Sequence, residues 1–131
     1  MILSCCKDLI FATKIRSTAE HVGVPYRAAG SVAAVLDRLN RVADGKLNEP
    51  VTGVLVDLEM GDAALAIIDA IRQHTPGQAD TGGIPVIAFG SHVAVEVLAD
   101  ARAKGADAVM PRSQFVMQLP ELLKKFGGAA L

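Results

Sequence analysis

Short apolar runs and amphipathic segments alternate five times along the chain, and this alternation limits the possible folds more than any other feature. The apolar runs lie at residues 2–5, 24–28, 51–56, 84–89 and 106–110. Apolar runs of this length predict strands that are covered on both faces, because a half-exposed strand would alternate apolar with polar residues. Strands that alternate with helices predict an α/β domain with a parallel sheet.

The number of strands and the handedness of their connections narrow the topology further. Right-handed crossovers between five parallel strands favour the flavodoxin-like, doubly wound order 2-1-3-4-5, with helices on both faces of the sheet. Ser31 predicts a helix start, and Gly23, Gly45 and Gly105 predict helix ends. Pro120 should break a helix, so we expect an irregular turn near residue 115 and a last helix that starts near Pro120.

Bulk composition restricts the classes of function. The 131 residues fit one domain, 1–131, and a net charge of -1 gives no footprint for nucleic acid. No apolar stretch is long enough to cross a membrane, and charged residues interrupt the start too early for a signal peptide, so we expect a cytoplasmic protein. The cysteines, Cys5 and Cys6, are neighbours and should point to opposite faces of the sheet. We therefore expect small buried apolar side chains, and neither a disulfide nor a joint metal site.

Asp57 is the strongest candidate for a functional residue. It ends the apolar run 54–56, and a strand that ends in a carboxylate places it at the carboxyl edge of the sheet. Open α/β sheets bind their ligands at this edge. Asp57 could instead serve as a structural cap of the loop that follows.

Three stretches of the sequence resemble the receiver (CheY-like) domain of two-component response regulators. They are Val-Leu-Val-Asp-Leu-Glu-Met at 54–60, Ile-Pro-Val-Ile at 84–87 and Gly-Ala-Asp-Ala-Val-Met at 105–110. In receivers the aspartate that ends the third strand accepts a phosphoryl group, and the resemblance assigns that place to Asp57. It also implies the flavodoxin-like fold and a role in signal transduction.

The rest of the receiver reaction site matches this sequence poorly. Receivers hold Mg²⁺ with two acidic residues after the first strand, and these positions are Cys5 and Cys6, followed by Lys7 and Asp8. Thiols are poor ligands for a hard cation, so we expect no metal and no cofactor. Asp8 could supply one carboxylate if the register shifts, or could cap the first helix.

Three further receiver positions also differ. The conserved hydroxyl residue corresponds to Gly90, with Ser91 one position later, the lysine corresponds to Arg112, and the aromatic switch residue corresponds to Val109. Ser91 could cap the fourth helix, and Glu59 could either help to bind a cation or remain solvated. These departures indicate a degenerate pseudo-receiver. We hypothesise that Lys7 or Arg112 pairs with Asp57 in place of the metal.

The sequence therefore favours a stand-alone signalling or regulatory module that acts by protein contact and is not an enzyme. The fourth helix is more apolar than one buried stripe requires. Receivers commonly use the face of the fourth helix, fifth strand and fifth helix for partner binding or dimerisation, so the resemblance implies a protein partner, or a second copy in a homodimer, at this face. The apolar excess of the fourth helix fits such a surface, and tight packing under the loop 75–83 explains it equally well.

Two alternatives remain open. One is a phospho-accepting receiver that uses Asp57. The other is a small flavodoxin-like ligand-binding protein or enzyme, with a pocket lined by Cys5, Gly90, Ser91 and Arg112.

Overall fold

In the computed structural model, residues 1–43, 51–74, 83–91 and 93–126 are described, and strands and helices alternate through them. The elements are β1 (Ile2–Cys5), α1 (Leu9–Val22), β2 (Tyr26–Ala28), α2 (Val32–Ala43), β3 (Gly53–Asp57), α3 (Asp62–His74), β4 (Val86–Gly90), α4 (Val95–Lys104), β5 (Ala108–Pro111) and α5 (Arg112–Phe126). A 3₁₀ turn, Leu58–Met60, joins β3 to α3.

The five strands form one parallel sheet in the order β2-β1-β3-β4-β5, which confirms the predicted topology. The strand register brings the ends of four strands together, because Cys5 pairs with Val56, Asp57 with Phe89 and Gly90 with Pro111. We call this side, where β1, β3, β4 and β5 end, the carboxyl edge.

Helices cover both faces of the sheet and enclose two apolar clusters. One cluster lies under α1 and α5 and contains a group of three rings, Phe11, Phe89 and Phe115. The rings of Phe89 and Phe115 stack with their centroids 3.9 Å apart. The other cluster lies under α2, α3 and α4 and contains Cys5. Alternate strand residues point to opposite clusters, as the pleat of a buried strand requires.

Several helix ends follow the predicted signals. The hydroxyl of Ser31 accepts a hydrogen bond from the backbone N–H of Ala34 at 3.1 Å. Gly23 and Gly105 end α1 and α4 with positive φ angles of 76° and 115°. Gly45 lies outside the described residues. The predicted capping of α4 by Ser91 is wrong, because the helix begins later, at Val95, and follows Ala94 without a side-chain cap.

The prediction for the last helix was also wrong, because α5 runs without interruption from Arg112 to Phe126 with Pro120 inside it. Phe115, Leu119 and Leu123 recur every four residues on this helix and are all buried. Their packing in the cluster under α1 and α5 extends across the proline on both sides. Burial of three large side chains outweighs the roughly 3 kcal/mol that an interior proline costs.

No helix in the described ranges is long and apolar enough to cross a membrane.

Candidate functional site

Asp57, the last residue of β3, is a carboxylate held almost entirely away from solvent. Its side chain is 1% exposed. A buried carboxylate is stable only when hydrogen-bond donors surround it. Oδ1 accepts from Nη2 of Arg112 at 2.9 Å and from the backbone N–H of Glu59 at 3.0 Å. Oδ2 accepts from the thiol of Cys6 at 3.3 Å. Both oxygens are therefore engaged by groups of the protein itself.

Arg112 supplies the positive charge at the carboxyl edge. It is the first residue of α5, so the end of β5 delivers it next to the end of β3. Its Nη2 also lies 3.3 Å from Oε2 of Glu59, and its Cζ lies 4.8 Å from the ring centroid of Phe11. A guanidinium stacked on an aromatic ring and paired with two carboxylates is held in one orientation. Its Nε is buried and has no acceptor in the described part of the chain.

Cys6 acts as a hydrogen-bond donor, and the prediction that it is only an apolar filler was wrong. Its thiol donates to Oδ2 of Asp57 and lies 3.5 Å from the carbonyl oxygen of Asp8. Burial, together with the hydrogen bond to Asp57 and the charge of that carboxylate, raises the pKa of the Cys6 thiol to about 12. Cys6 therefore keeps its proton at neutral pH and offers it to Asp57.

Cys5 is a small buried apolar side chain, as predicted for both cysteines. It is fully buried in the cluster under α2, α3 and α4, while Cys6 packs against the opposite cluster. The two neighbours thus point to opposite faces, as expected. Burial raises the pKa of the Cys5 thiol to about 12, so it too stays protonated.

The remaining candidates near Asp57 have separate places. Lys7 is exposed, and no ion pair joins it to Asp57 in the described part of the chain. Of the two cations in the pairing hypothesis, the structure therefore places Arg112 on Asp57. Asp8 is the N-cap of α1, with Oδ1 accepting from the backbone N–H groups of Ile10 and Phe11. Glu59 is 55% exposed, and its Oε2 contacts the guanidinium of Arg112. Its carboxylate is therefore partly solvated and partly paired with a cation of the protein.

Gly90 and Ser91 line a cavity of about 210 Å³ that differs from the predicted ligand pocket. Its other walls come from the 3₁₀ turn after β3 and from the start of α4, and neither Cys5 nor Arg112 lines it. A side chain at Gly90 would place its Cβ 3.1 Å from the Cβ of Leu58. Leu58 thus fills the space beside the end of β4.

Val109, which stands where receivers have their aromatic switch residue, lines a shallow groove. This groove lies between α4 and β5, measures about 510 Å³ and is lined by Leu98, Arg102 and Val109 among others. Val109 is half-buried there. Neither Gly90 nor Val109 has the side chain that a coupled hydroxyl and aromatic movement requires.

The groups at the carboxyl edge do not fit Mg²⁺. This ion requires several oxygen ligands in octahedral geometry. Asp57 is the buried carboxylate at this edge, and its two oxygens face a guanidinium and a thiol hydrogen. No group of three acidic, histidine or cysteine side chains that could hold a metal is found among the residues that the structure describes.

Comparison with solved structures identifies the fold. The receiver domain of NtrX from Brucella abortus matches with a TM-score of 0.74 and 18% identity, over 95% of this chain and 96% of that one. The chain has the fold of a response regulator receiver domain. No protein family profile and no curated protein sequence matches it.

Two other structures with the receiver fold are similar over almost the whole chain. A putative response regulator from Chloroflexus aurantiacus has a TM-score of 0.73 and 18% identity, over 99% of this chain and 97% of that one. A response regulator from Burkholderia pseudomallei, solved with a phosphorylated aspartic acid, calcium ion and citrate, has a TM-score of 0.68 and 18% identity. The match extends over 98% of this chain and 68% of that one.

Proposed function

We propose that this receiver-like chain is a signalling or regulatory module that acts by protein contact, without catalysis and without Mg²⁺-dependent phosphorylation of Asp57. One observation carries the proposal: the buried carboxylate of Asp57 is already bound by Arg112 and Cys6. The guanidinium stands in for the positive charge that a divalent ion supplies in a phosphorylated receiver. The carboxyl edge is then held in one conformation by the protein itself.

Phosphoryl transfer to Asp57 faces two obstacles in this arrangement. An attacking carboxylate oxygen needs an open approach, and the Asp57 side chain is 1% exposed. The phosphoryl group also brings a charge of about -1.5 to -2 that needs cations around it. Arg112 is the cation in contact with Asp57, and it is shared with Glu59. Accepting a phosphoryl group would therefore require the ion pair to open.

The surface proposed for partner contact is the face of α4, β5 and α5, for a protein partner or a second copy of the chain. Apolar side chains support this choice, because Val93 and Val95 near the start of α4 are 74% and 68% exposed and Met117 on α5 is also exposed. The groove beside Val109 lies on the same face. Exposed apolar groups are candidates for contact with a partner.

Intact mass after incubation with a small phosphodonor and Mg²⁺ tests the proposal. We expect no stoichiometric gain of a phosphoryl group, with Asp57→Asn as the blank and a phosphorylatable receiver treated in parallel as the positive control. A gain of one phosphoryl group that Asp57→Asn abolishes would show that Asp57 is an active acceptor.

That outcome would favour the second candidate, a phospho-accepting receiver. The Burkholderia pseudomallei structure supports it, because an aspartic acid of a protein with this fold is phosphorylated there. The mass measurement separates the two functions by the presence or absence of a phosphoryl group on Asp57.

A further inference from the structure

The cavity of about 210 Å³ beside the candidate site combines apolar walls with an acidic rim. Leu58, Val97 and Leu98 supply apolar surface, and Glu59 and Ser91 supply a carboxylate and a hydroxyl. A site with apolar walls and few polar groups holds a long side chain with a polar head better than it holds a small ion.

Small residues leave room for the cavity at the start of α4. Gly90 and Ala94 contribute little volume to its walls, and Ala101 is the buried residue of α4. Val93 and Val95 stand exposed next to the cavity, where they line a second hollow together with Glu96. Exposed valines beside an open cavity form a surface that a partner's apolar residues can cover.

The charge of the two segments around the cavity is of one sign. Residues 47–71 and 73–101 contain no lysine or arginine. The acids of the 3₁₀ turn, α3 and α4 are Glu59, Asp62, Asp69, Glu96 and Asp100. The basic residues of α3 and α4 lie in the last turns of these helices: Arg72 pairs with Asp107, and Arg102 and Lys104 end α4, at the far end of the helix from Ala94. The nearby cation, Arg112, pairs with Asp57 and with Oε2 of Glu59, which leaves Oε1 of this 55% exposed side chain to face a partner. This local excess of acids is complementary to a basic partner, although the whole chain has a net charge of only -1.

We propose that this cavity receives a lysine or arginine side chain from a basic amphipathic helix of a partner protein. The methylene groups of that side chain pack against Leu58 and Leu98, and its head pairs with the carboxylate of Glu59. Apolar residues one turn away on the partner helix cover Val93 and Val95. This inference rests on the proposed function, in which the chain acts by contact with a protein partner, and it specifies the chemistry of that partner.

Two synthetic helical peptides test the surface with the full chain. Both carry leucine at positions i, i+3, i+4 and i+7, and one has lysine at the other positions while the second has glutamate. We expect the lysine peptide to shift the amide NMR signals of residues 58–59 and 93–98, with an affinity that falls as salt rises. The glutamate peptide should bind at least tenfold more weakly.

Two substitutions at the cavity and one matched control complete the test. Ala94→Trp fills the cavity and should weaken the lysine peptide at least tenfold, and Glu59→Gln should weaken it severalfold. Glu121→Gln removes an exposed carboxylate from α5 that lines neither the cavity nor the hollow beside Val93 and Val95, and should change nothing. If Ala94→Trp fails to fold, Glu59→Gln against Glu121→Gln still decides. Shifts spread over other surfaces, or equal loss for both glutamines, would overturn the inference.

The peptide experiment and the phosphodonor experiment fail independently. Phosphorylation of Asp57 with the peptide still bound at the cavity would refute the proposed function alone. Absence of phosphorylation with no peptide shift at residues 93–98 would refute the cavity inference alone.

Discussion

At the scale of single residues, the site is a hydrogen-bonded row in which a thiol, a carboxylate and a guanidinium come from three different strand ends. Cys6, Asp57 and Arg112 lie far apart in the sequence but within hydrogen-bonding distance in the structure. In its buried place, the carboxylate meets the guanidinium of Arg112 on one oxygen and the thiol hydrogen of Cys6 on the other. Asp57 therefore joins the other two groups, which do not contact each other in the described part of the chain.

The first prediction concerns the chemical reactivity of Cys6. Its thiol pKa is raised from the usual 9.0 to about 12, first by burial and then by the hydrogen bond to Asp57. Since the thiolate is the nucleophile, we expect alkylation at pH 8 to be roughly a thousandfold slower than for an exposed cysteine. The thiolate fraction grows with pH up to the pKa, so the alkylation rate should keep rising as the pH approaches 12.

The change Asp57→Asn should accelerate this alkylation by roughly tenfold, because it removes the negative charge that opposes thiolate formation. The rates are measured by mass spectrometry, with peptide mapping to separate Cys6 from the buried Cys5. Asp69→Asn, which removes a carboxylate from α3 away from the carboxyl edge, is the matched control and should leave the rate unchanged. An Asp57→Asn protein that reacts no faster would contradict the hydrogen-bonded row.

The parts of this row differed in how well the sequence predicted them. Strand order limited the expected partner of Asp57 to Lys7 or Arg112, because parallel strands deliver their carboxyl ends to one edge, but it did not decide between them. The donor role of Cys6 did not follow, since it depends on an approach of 3.3 Å and on the direction of one side chain. One signal was available: Cys6 directly follows the buried strand β1, and the alternation of side chains directs it to the same cluster as α1.

At the scale of elements, α5 shows where local rules give way to packing. The helix keeps Pro120 in its interior although proline removes a backbone donor. Sequence rules for helix ends succeeded at Gly23, Gly105 and Ser31, and they misplaced the start of α4 at Ser91. They failed at Pro120 because Leu119 and Leu123, on either side of it, are anchored in the core. Local sequence rules for helix ends do not take into account how deeply a helix face is buried in the tertiary structure.

The second prediction follows from this conflict within α5. Pro120→Ala restores the N–H that can bond to the carbonyl of Val116, so we expect the free energy of unfolding to rise by about 1 to 2 kcal/mol. Urea denaturation measures it. Pro25→Ala, at an exposed loop position before β2, is the matched control and should be neutral or lose up to about 1 kcal/mol. A loss of stability in Pro120→Ala would show that the proline is favourable where it stands.

At the scale of the whole molecule, the parallel sheet gathers all the candidate residues at one edge while two helical layers bury the rest. The fold was predictable because the apolar runs and their spacing define it. The chemistry of the edge was not, because it depends on which side chains follow the strands and how they meet. The edge of this fold places a guanidinium and a thiol on the buried acid, and we expect that the stability of the domain does not depend on a divalent ion.

The last prediction tests this independence from metal. Without a fitting ligand set, the melting temperature should be the same with 10 mM Mg²⁺ as with NaCl of equal ionic strength. The double variant Cys6→Asp with Arg112→Lys places a second carboxylate beside Asp57 and removes the guanidinium. If it binds Mg²⁺ with a Kd of about 1 mM, 10 mM Mg²⁺ should stabilise it by about 1.4 kcal/mol, or roughly 3 to 6 °C. Cys6→Asn with Arg112→Lys, which lacks the added charge, should not respond. Stabilisation of the unmodified chain by Mg²⁺ would mean that Arg112 yields its place to the metal.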